Sequence, residues 1–353
     1  MTTPWGGKRH DPRPDAEKAA AFDPLALHED YLDDPYPAYR ILRENDPVHR
    51  CPDGSYFLTR YADLVQVYKG AEFSSDKTRE YCPKYGADSL LYRHHTTSLV
   101  FNDPPLHTRV RALLSPAFTP RALQQLEPDL AALVERLLDE AQEKDSFDLI
   151  ADYASAIPVE VVGNMLGVPH ADRGPLRDWS LAILGALEPV TPPDVLARGN
   201  TAVSEFSSYL ADLIEERRKN PAQYEDDVMG RLITGSLDGD TLSDEELIQN
   251  CIFILNAGHE TTTNLIGNGV GALFEHPDAL ADLRADPTII DSAVEEFLRF
   301  ESSNQLGNRR VDTPTTVGGV EMASGTNIHL CIGAANRDPD EFDNPEHLHL
   351  KRR

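Results

Sequence analysis

Apolar positions recur at helical spacing along most of this chain. Leu126, Leu130, Leu133, Val134, Leu137, Leu138 and Ala141 form one such series and predict an amphipathic helix. Shorter series predict helices over 61–69, where Leu64, Val65 and Tyr68 share a face, over 157–166 and over 206–217. The longest predicted helix starts at Ser243, where Ser243 and Glu246 have the spacing of a capping box. It can run to Glu275, just before His276-Pro277, a length of roughly 48 Å. Residues 251–255 are apolar all round, so this helix is expected to be buried. A further helix is predicted over 289–300, with Ile290, Val294, Phe297 and Leu298 facing inward.

Strand-like stretches are short: 55–59 after the turn Pro52-Asp53-Gly54, then 316–320 and 327–331. Glu188-Pro189-Val190-Thr191-Pro192-Pro193 is expected to be a loop, placed to act as a lid. The fold class is therefore mainly α with a minor β part. No repeat, low-complexity tract or linker divides the chain. The expected organisation is a polar extension over 1–21 and one domain over 22–353.

Charge narrows the partners. The 353 residues hold 33 basic and 59 acidic side chains, a net charge of −26, which repels nucleic acid and anionic membranes. Residues 1–20 are polar and lack the apolar core of a targeting or anchoring segment, so a cytoplasmic protein is expected. Cys51, Cys82, Cys251 and Cys331 are scattered, without the pairing of a zinc site or a disulfide framework.

The middle of the longest helix reads Ala257-Gly258-His259-Glu260-Thr261-Thr262-Thr263. Glycine and β-branched threonines are poor formers of a buried helix, so their presence points to function or to a kink. Gly258 lets a ligand approach the backbone, and Glu260 supplies a protonatable group. A zinc-protease reading fails, because His-Glu-x-x-His needs a second histidine where Thr263 stands. Elsewhere Glu296 and Arg299 are three apart on one helix face, although Glu295 has equally good i, i+4 spacing to Arg299. His107 and Arg111 are four apart and can donate together to a carboxylate, or stand as two surface cations.

These segments, in this order, resemble the cytochrome P-450 family. Ala257 to Thr262 matches the Ala-Gly-x-Asp/Glu-Thr-Thr/Ser of its long central helix. Glu296-Phe297-Leu298-Arg299 matches its Glu-x-x-Arg helix, and His107 to Arg111, after Asn102-Asp103-Pro104-Pro105, matches its helix beside the haem propionates. Gly333-Ala334-Ala335-Asn336-Arg337-Asp338-Pro339 looks like the approach to its meander, and the resemblance runs from about residue 22 to the end.

The resemblance implies a cytochrome P-450 fold whose carboxy-terminal part lies outside these residues. It also implies haem b as cofactor, and insertion of one oxygen atom from O2 into a small, apolar substrate. Electrons would come from NAD(P)H through a reductase and a ferredoxin or flavodoxin. It assigns Glu260 and Thr261 to proton delivery, and His107, Arg111, Ala257, Gly258 and Arg310 to the cofactor, with Arg309 as the alternative to Arg310. Glu296 and Arg299 become a structural pair, and the protein a monomer.

The family's iron ligand is the cysteine of Phe-x-x-Gly-x-His/Arg-x-Cys-x-Gly, and these residues contain no such signature. His329-Leu330-Cys331-Ile332-Gly333 copies half of it, but Ser324 and Asn327 occupy its phenylalanine and glycine positions. Cys331 is therefore read as a decoy in a buried strand, and no metal ligand is assigned. The chain is expected to be an inactive fragment of a monooxygenase or, alternatively, a truncated pseudo-enzyme that binds haem weakly or acts as a partner protein. His347 and Leu348 stand where the meander often has arginine and phenylalanine, which leaves the third partner of Glu296 and Arg299 unassigned. Apolar faces of the long helix and the Glu296 helix are expected to be exposed.

Overall fold

The computed structural model describes residues 13–27, 29–224, 228–237 and 239–352. They form two compact units: the part up to Ser75 together with the part from Asn268 onward, and Asp76–Gly267. The long helix, Asp244–Glu275, belongs to both, being continuous from one into the other.

The first unit holds the strands. β1 (Val48–Arg50), β2 (Tyr56–Leu58), β3 (Phe73–Ser74), β4 (Leu306–Val311) and β7 (Asn327–Cys331) make a sheet in the order β1-β2-β7-β4-β3. The β2–β7 pair is parallel, and the other pairs are antiparallel. β5 (Thr315–Val317) and β6 (Val320–Met322) form a separate hairpin. The run 316–320, expected as one strand, is thus the turn of that hairpin. Gly318 and Gly319 both have positive φ, 55° and 84°, which a tight two-residue turn requires.

Successive residues of a strand point to opposite faces, and this sheet is buried on both. Leu58, Ile328 and Leu330 pack with Val48 and Val311, whereas Phe57 and Cys331 pack with Phe22, Tyr31 and Tyr39. That second cluster also receives Ala19, fully buried on the helix Asp15–Ala20, so this part of the expected polar extension packs into the core.

In the helix Ile290–Phe300 the buried side chains are Ala293, Glu296, Phe297, Arg299 and Phe300. Ile290, Val294 and Leu298, expected inward, are 47%, 38% and 40% exposed. The helix turns its ion pair inward with Phe297, because that pair is fully hydrogen-bonded where it lies. On the last turns of the long helix Phe274 is also exposed.

The second unit is helical. Its core joins Val162, Met165 and Leu166 with Phe206, Leu210, Leu247, Cys251, Ile252 and Leu255. The capping box forms: the Ser243 N–H donates to Glu246 Oε2 at 2.9 Å, and the Glu246 N–H donates to Ser243 Oγ at 3.2 Å. The helix expected over 206–217 extends over Pro193–Lys219, beginning at a proline whose missing N–H costs nothing in a first turn. Before it, Ala186 and Glu188 are held by their carbonyls, which accept from Tyr85 Oη at 2.7 Å and Lys84 Nζ at 2.6 Å.

Candidate functional site

The second unit contains a cavity of about 450 Å³. Its walls are Leu99, Leu114, Phe118, Val162 and Met165, with Phe253, Ile254, Ala257 and Gly258 from the long helix. Arg111 and Ser115 add polar groups to this apolar lining. Three residues singled out from the sequence, Arg111, Ala257 and Gly258, therefore meet around one space. The apolar walls at Leu99, Phe118, Val162 and Met165 carry no motif, and the sequence offered no signal for them beyond being apolar.

The long helix opens a face here. Ala257 and Thr261, one turn apart, are exposed, although Leu255, Asn256, His259 and Thr263 beside them are buried. Gly258 preserves the width of the cavity, since a Cβ there would stand 3.0 Å from Val162 Cγ2. Thr261 Oγ1 donates to the Ala257 carbonyl at 2.9 Å, and Thr263 Oγ1 to that of His259 at 2.9 Å. The threonines thus satisfy themselves within the helix. Glu260 is half-buried; burial, reinforced by the charge of Glu188, raises its carboxyl above the usual range. Burial lowers His259, with a contribution from Arg177, and its Nδ1 lies 3.3 Å from Ser180 Oγ.

Arg111 and His107 share the helix Leu106–Leu114, with Arg111 exposed at the cavity and His107 one turn earlier. Arg310 belongs to the first unit, on β4 opposite Ser74, where its guanidinium donates to Ser74 Oγ at 3.4 Å. Its neighbour Arg309 lies over the Tyr68 ring, 5.0 Å from the centroid.

The Glu296–Arg299 pair is bidentate: Arg299 Nε donates to Oε2 at 2.7 Å and Nη2 to Oε1 at 2.8 Å. Arg299 Nη1 also donates to the carbonyls of Asn336 and Pro345, at 2.8 and 2.9 Å. Arg352, which the sequence reading had not singled out, fills the place left unassigned, donating from Nε to Glu296 Oε2 at 2.9 Å. Cys331 is fully buried, and burial pushes its thiol up to about 12.

The family model for Cytochrome P450 matches residues 182–352. The Vitamin D(3) 25-hydroxylase of Pseudonocardia autotrophica is 38% identical over 327 residues, covering 91% of this chain and 78% of that one. The Biotin biosynthesis cytochrome P450 of Bacillus subtilis is 34% identical, covering 92% and 81%. Among solved structures, P450BioI in complex with a hexadec-9Z-enoic acid ligated acyl carrier protein aligns with a TM-score of 0.86 at 33% identity, over 92% of this chain and 84% of that one. The chain belongs to the cytochrome P450 family.

Members of this family bind haem b and are haem-thiolate monooxygenases. The residues present fit that macrocycle on one side. A flat apolar ring with two carboxylates suits a space with hydrocarbon walls and a guanidinium at its edge, kept wide by a glycine. Iron ligation by Cys331 does not fit, because its side chain is fully buried in the cluster of Phe22, Tyr31, Tyr39 and Phe57 and does not line the cavity. Among the described residues, no helix is long and apolar enough to cross a membrane.

Proposed function

We propose that this chain carries the cofactor-facing and proton-handling residues of a cytoplasmic, monomeric monooxygenase acting on a small apolar molecule. The observation that carries this reading is the convergence of Arg111, Ala257 and Gly258 on one apolar cavity. In this reading His107 and Arg111 donate to the haem propionates, and Ala257 and Gly258 let the ring approach the helix. Bound haem supplies activation of O2, with electrons from NAD(P)H delivered by a ferredoxin or flavodoxin.

The protein's own part is to hold protons and exclude water. Glu260, its carboxyl raised by burial, keeps a proton more readily than a surface glutamate does. Thr261, exposed on the open face one residue on, passes that proton toward the cavity through its hydroxyl. The hydrocarbon walls favour an apolar substrate. A relative named for vitamin D(3), and another solved with hexadec-9Z-enoic acid ligated to an acyl carrier protein, support an apolar group at this site. Cys331 is a structural thiol, and Glu296 with Arg299 is a structural pair.

Hemin titration of the 353-residue chain, followed by reduction and addition of carbon monoxide, tests this reading. The expected result is hemin binding that is weakened by Arg111→Ala, without the red-shifted band of thiolate ligation. A thiolate band abolished by Cys331→Ser would make Cys331 the iron ligand. Hemin binding unaffected by Arg111→Ala, His107→Ala and Gly258→Val would remove the cavity from the reading.

A further inference from the structure

The cavity takes its walls from the long helix, the turn at Leu99, the helix that carries Arg111 with the turn after it, and the helix Ala156–Met165. Polar contacts hold the second and third against the first. Leu99 opens the turn Leu99–Phe101, so its N–H has no acceptor within that turn. Asn250 Oδ1 on the long helix accepts it at 3.0 Å, while Asn250 Nδ2 donates to the Glu246 carbonyl at 2.7 Å. Asn250 is fully buried, with both ends of its amide satisfied. The Glu246 carboxylate accepts from Arg109, which also donates to Asp240 Oδ2 at 3.3 Å. Arg109 lies two residues before Arg111 on the same helix.

Residues three and four apart share a helix face. Glu246, Asn250, Ile254 and then Ala257 and Gly258 therefore form one stripe. Its far end floors the cavity, and its near end grips the two segments that form other walls. An independent contact docks the segment before Leu99: His94 Nδ1 lies 2.9 Å from Gln249 Oε1, and His94 Nε2 lies 3.5 Å from Asn256 Nδ2. Leu90–Thr97 thus stays anchored when the Asn250 contact is removed.

We propose that Asn250 is a positioning residue for the cofactor: by capping the Leu99 N–H it sets the distance between the Leu99 wall and the Ala257-Gly258 floor. The inference rests on the haem reading above. It is tested by hemin titration combined with amide hydrogen exchange at Leu99, on the 353-residue chain and its variants. Asn250→Leu removes the acceptor at similar volume. It is expected to lose protection at Leu99 and to bind hemin about tenfold more weakly. Asn250→Asp, whose buried carboxyl keeps its proton and so both a donor and an acceptor, restores both. If Asn250→Leu does not fold, Asn250→Ser takes its place and is read the same way.

Unchanged hemin affinity, or unchanged protection at Leu99 in the folded variant, overturns the proposal. So does a loss of affinity in Asn250→Leu that Asn250→Asp fails to restore, which marks a merely structural role. A parent chain that binds no hemin overturns the haem reading itself. Loss of Leu99 protection in Asn250→Leu would then still support Asn250 as the anchor of that wall.

Discussion

Arg352 donates from Nε to Glu296 Oε2 at 2.9 Å, across 56 residues of sequence. The same carboxylate accepts both arms of the Arg299 guanidinium and, at 2.8 Å, the His349 N–H. Arg299 reaches on to the carbonyls of Asn336 and Pro345, and Arg352 to those of Asp343 and His347. Two cations and one anion thereby fix the irregular stretch 336–352 to the helix Ile290–Phe300. This stretch has little regular structure of its own, so its backbone groups find partners in side chains instead.

Removing Glu296 leaves Arg299 buried without its carboxylate, and removing Arg299 leaves Glu296 with Arg352 as its remaining cation. Glu296→Gln is expected to destabilise the first unit by about 3–5 kcal/mol, and Arg299→Leu by a similar amount. Arg352→Ala should cost less, because Arg299 still satisfies the carboxylate. Urea unfolding of the three variants checks the order, and equal losses for Arg299→Leu and Arg352→Ala would contradict it.

Acid should release the same contact. Burial alone would raise the Glu296 carboxyl, but hydrogen bonds from Arg299, the His349 N–H and Arg352 outweigh it and hold the group below its usual range. A depressed carboxylate contributes stability that is fully present above its unfolded pKa of about 4.3 and is lost as pH falls through the lower folded value. Unfolding midpoints between pH 6 and 3 should therefore drop for the parent chain. They should drop less steeply for Glu296→Gln, which has no such proton to take up.

Filling the cavity at Gly258 should block it from the floor. A Cβ at this position meets Val162 Cγ2 at 3.0 Å, so Gly258→Val overpacks the contact, at a cost of about 1–3 kcal/mol. Hemin affinity is expected to fall. Combining Gly258→Val with Val162→Ala should recover part of it, because the second change returns the volume. Affinity unchanged in Gly258→Val would mean that the ring does not lie against this turn.

Thr261→Ala addresses proton delivery. In a form of the protein that carries the family's cysteine loop, the expected outcome is peroxide formed at the expense of product, with NAD(P)H still consumed. The ratio of product to NAD(P)H consumed reads it directly, and an unchanged ratio would remove Thr261 from the relay. Glu260→Gln should slow turnover without a comparable change in substrate affinity, since it alters a proton donor rather than a wall.

Helices were the most legible part of the sequence. The capping box at Ser243 and the proline after His276 bound the long helix within a residue of Asp244–Glu275, and the helix Tyr61–Lys69 has the bounds its periodicity predicts. Such limits are set locally, by caps, prolines and 3.6-residue spacing. Gly258 was legible because a broken helical rule shows in the sequence wherever the residue ends up, and Arg111 and Ala257 because they stand in segments that resemble the family's motifs. Arg352 was not, because nothing near it in the chain announces a partner as distant as Glu296.

What the sequence alone determined is therefore the helical class and the family, and it nominated candidate residues for proton and carboxylate chemistry. Tertiary structure decided which side each helix buries and which residues surround the cavity. Ile290, Val294 and Leu298 make the obvious apolar face, yet the helix turns Glu296 and Arg299 inward, because hydrogen-bonded partners compensate the burial of that pair. Periodicity records where apolar side chains stand, whereas burial depends on what each face meets. For Leu99, Phe118, Val162 and Met165, what they meet is contributed by segments far apart in the chain.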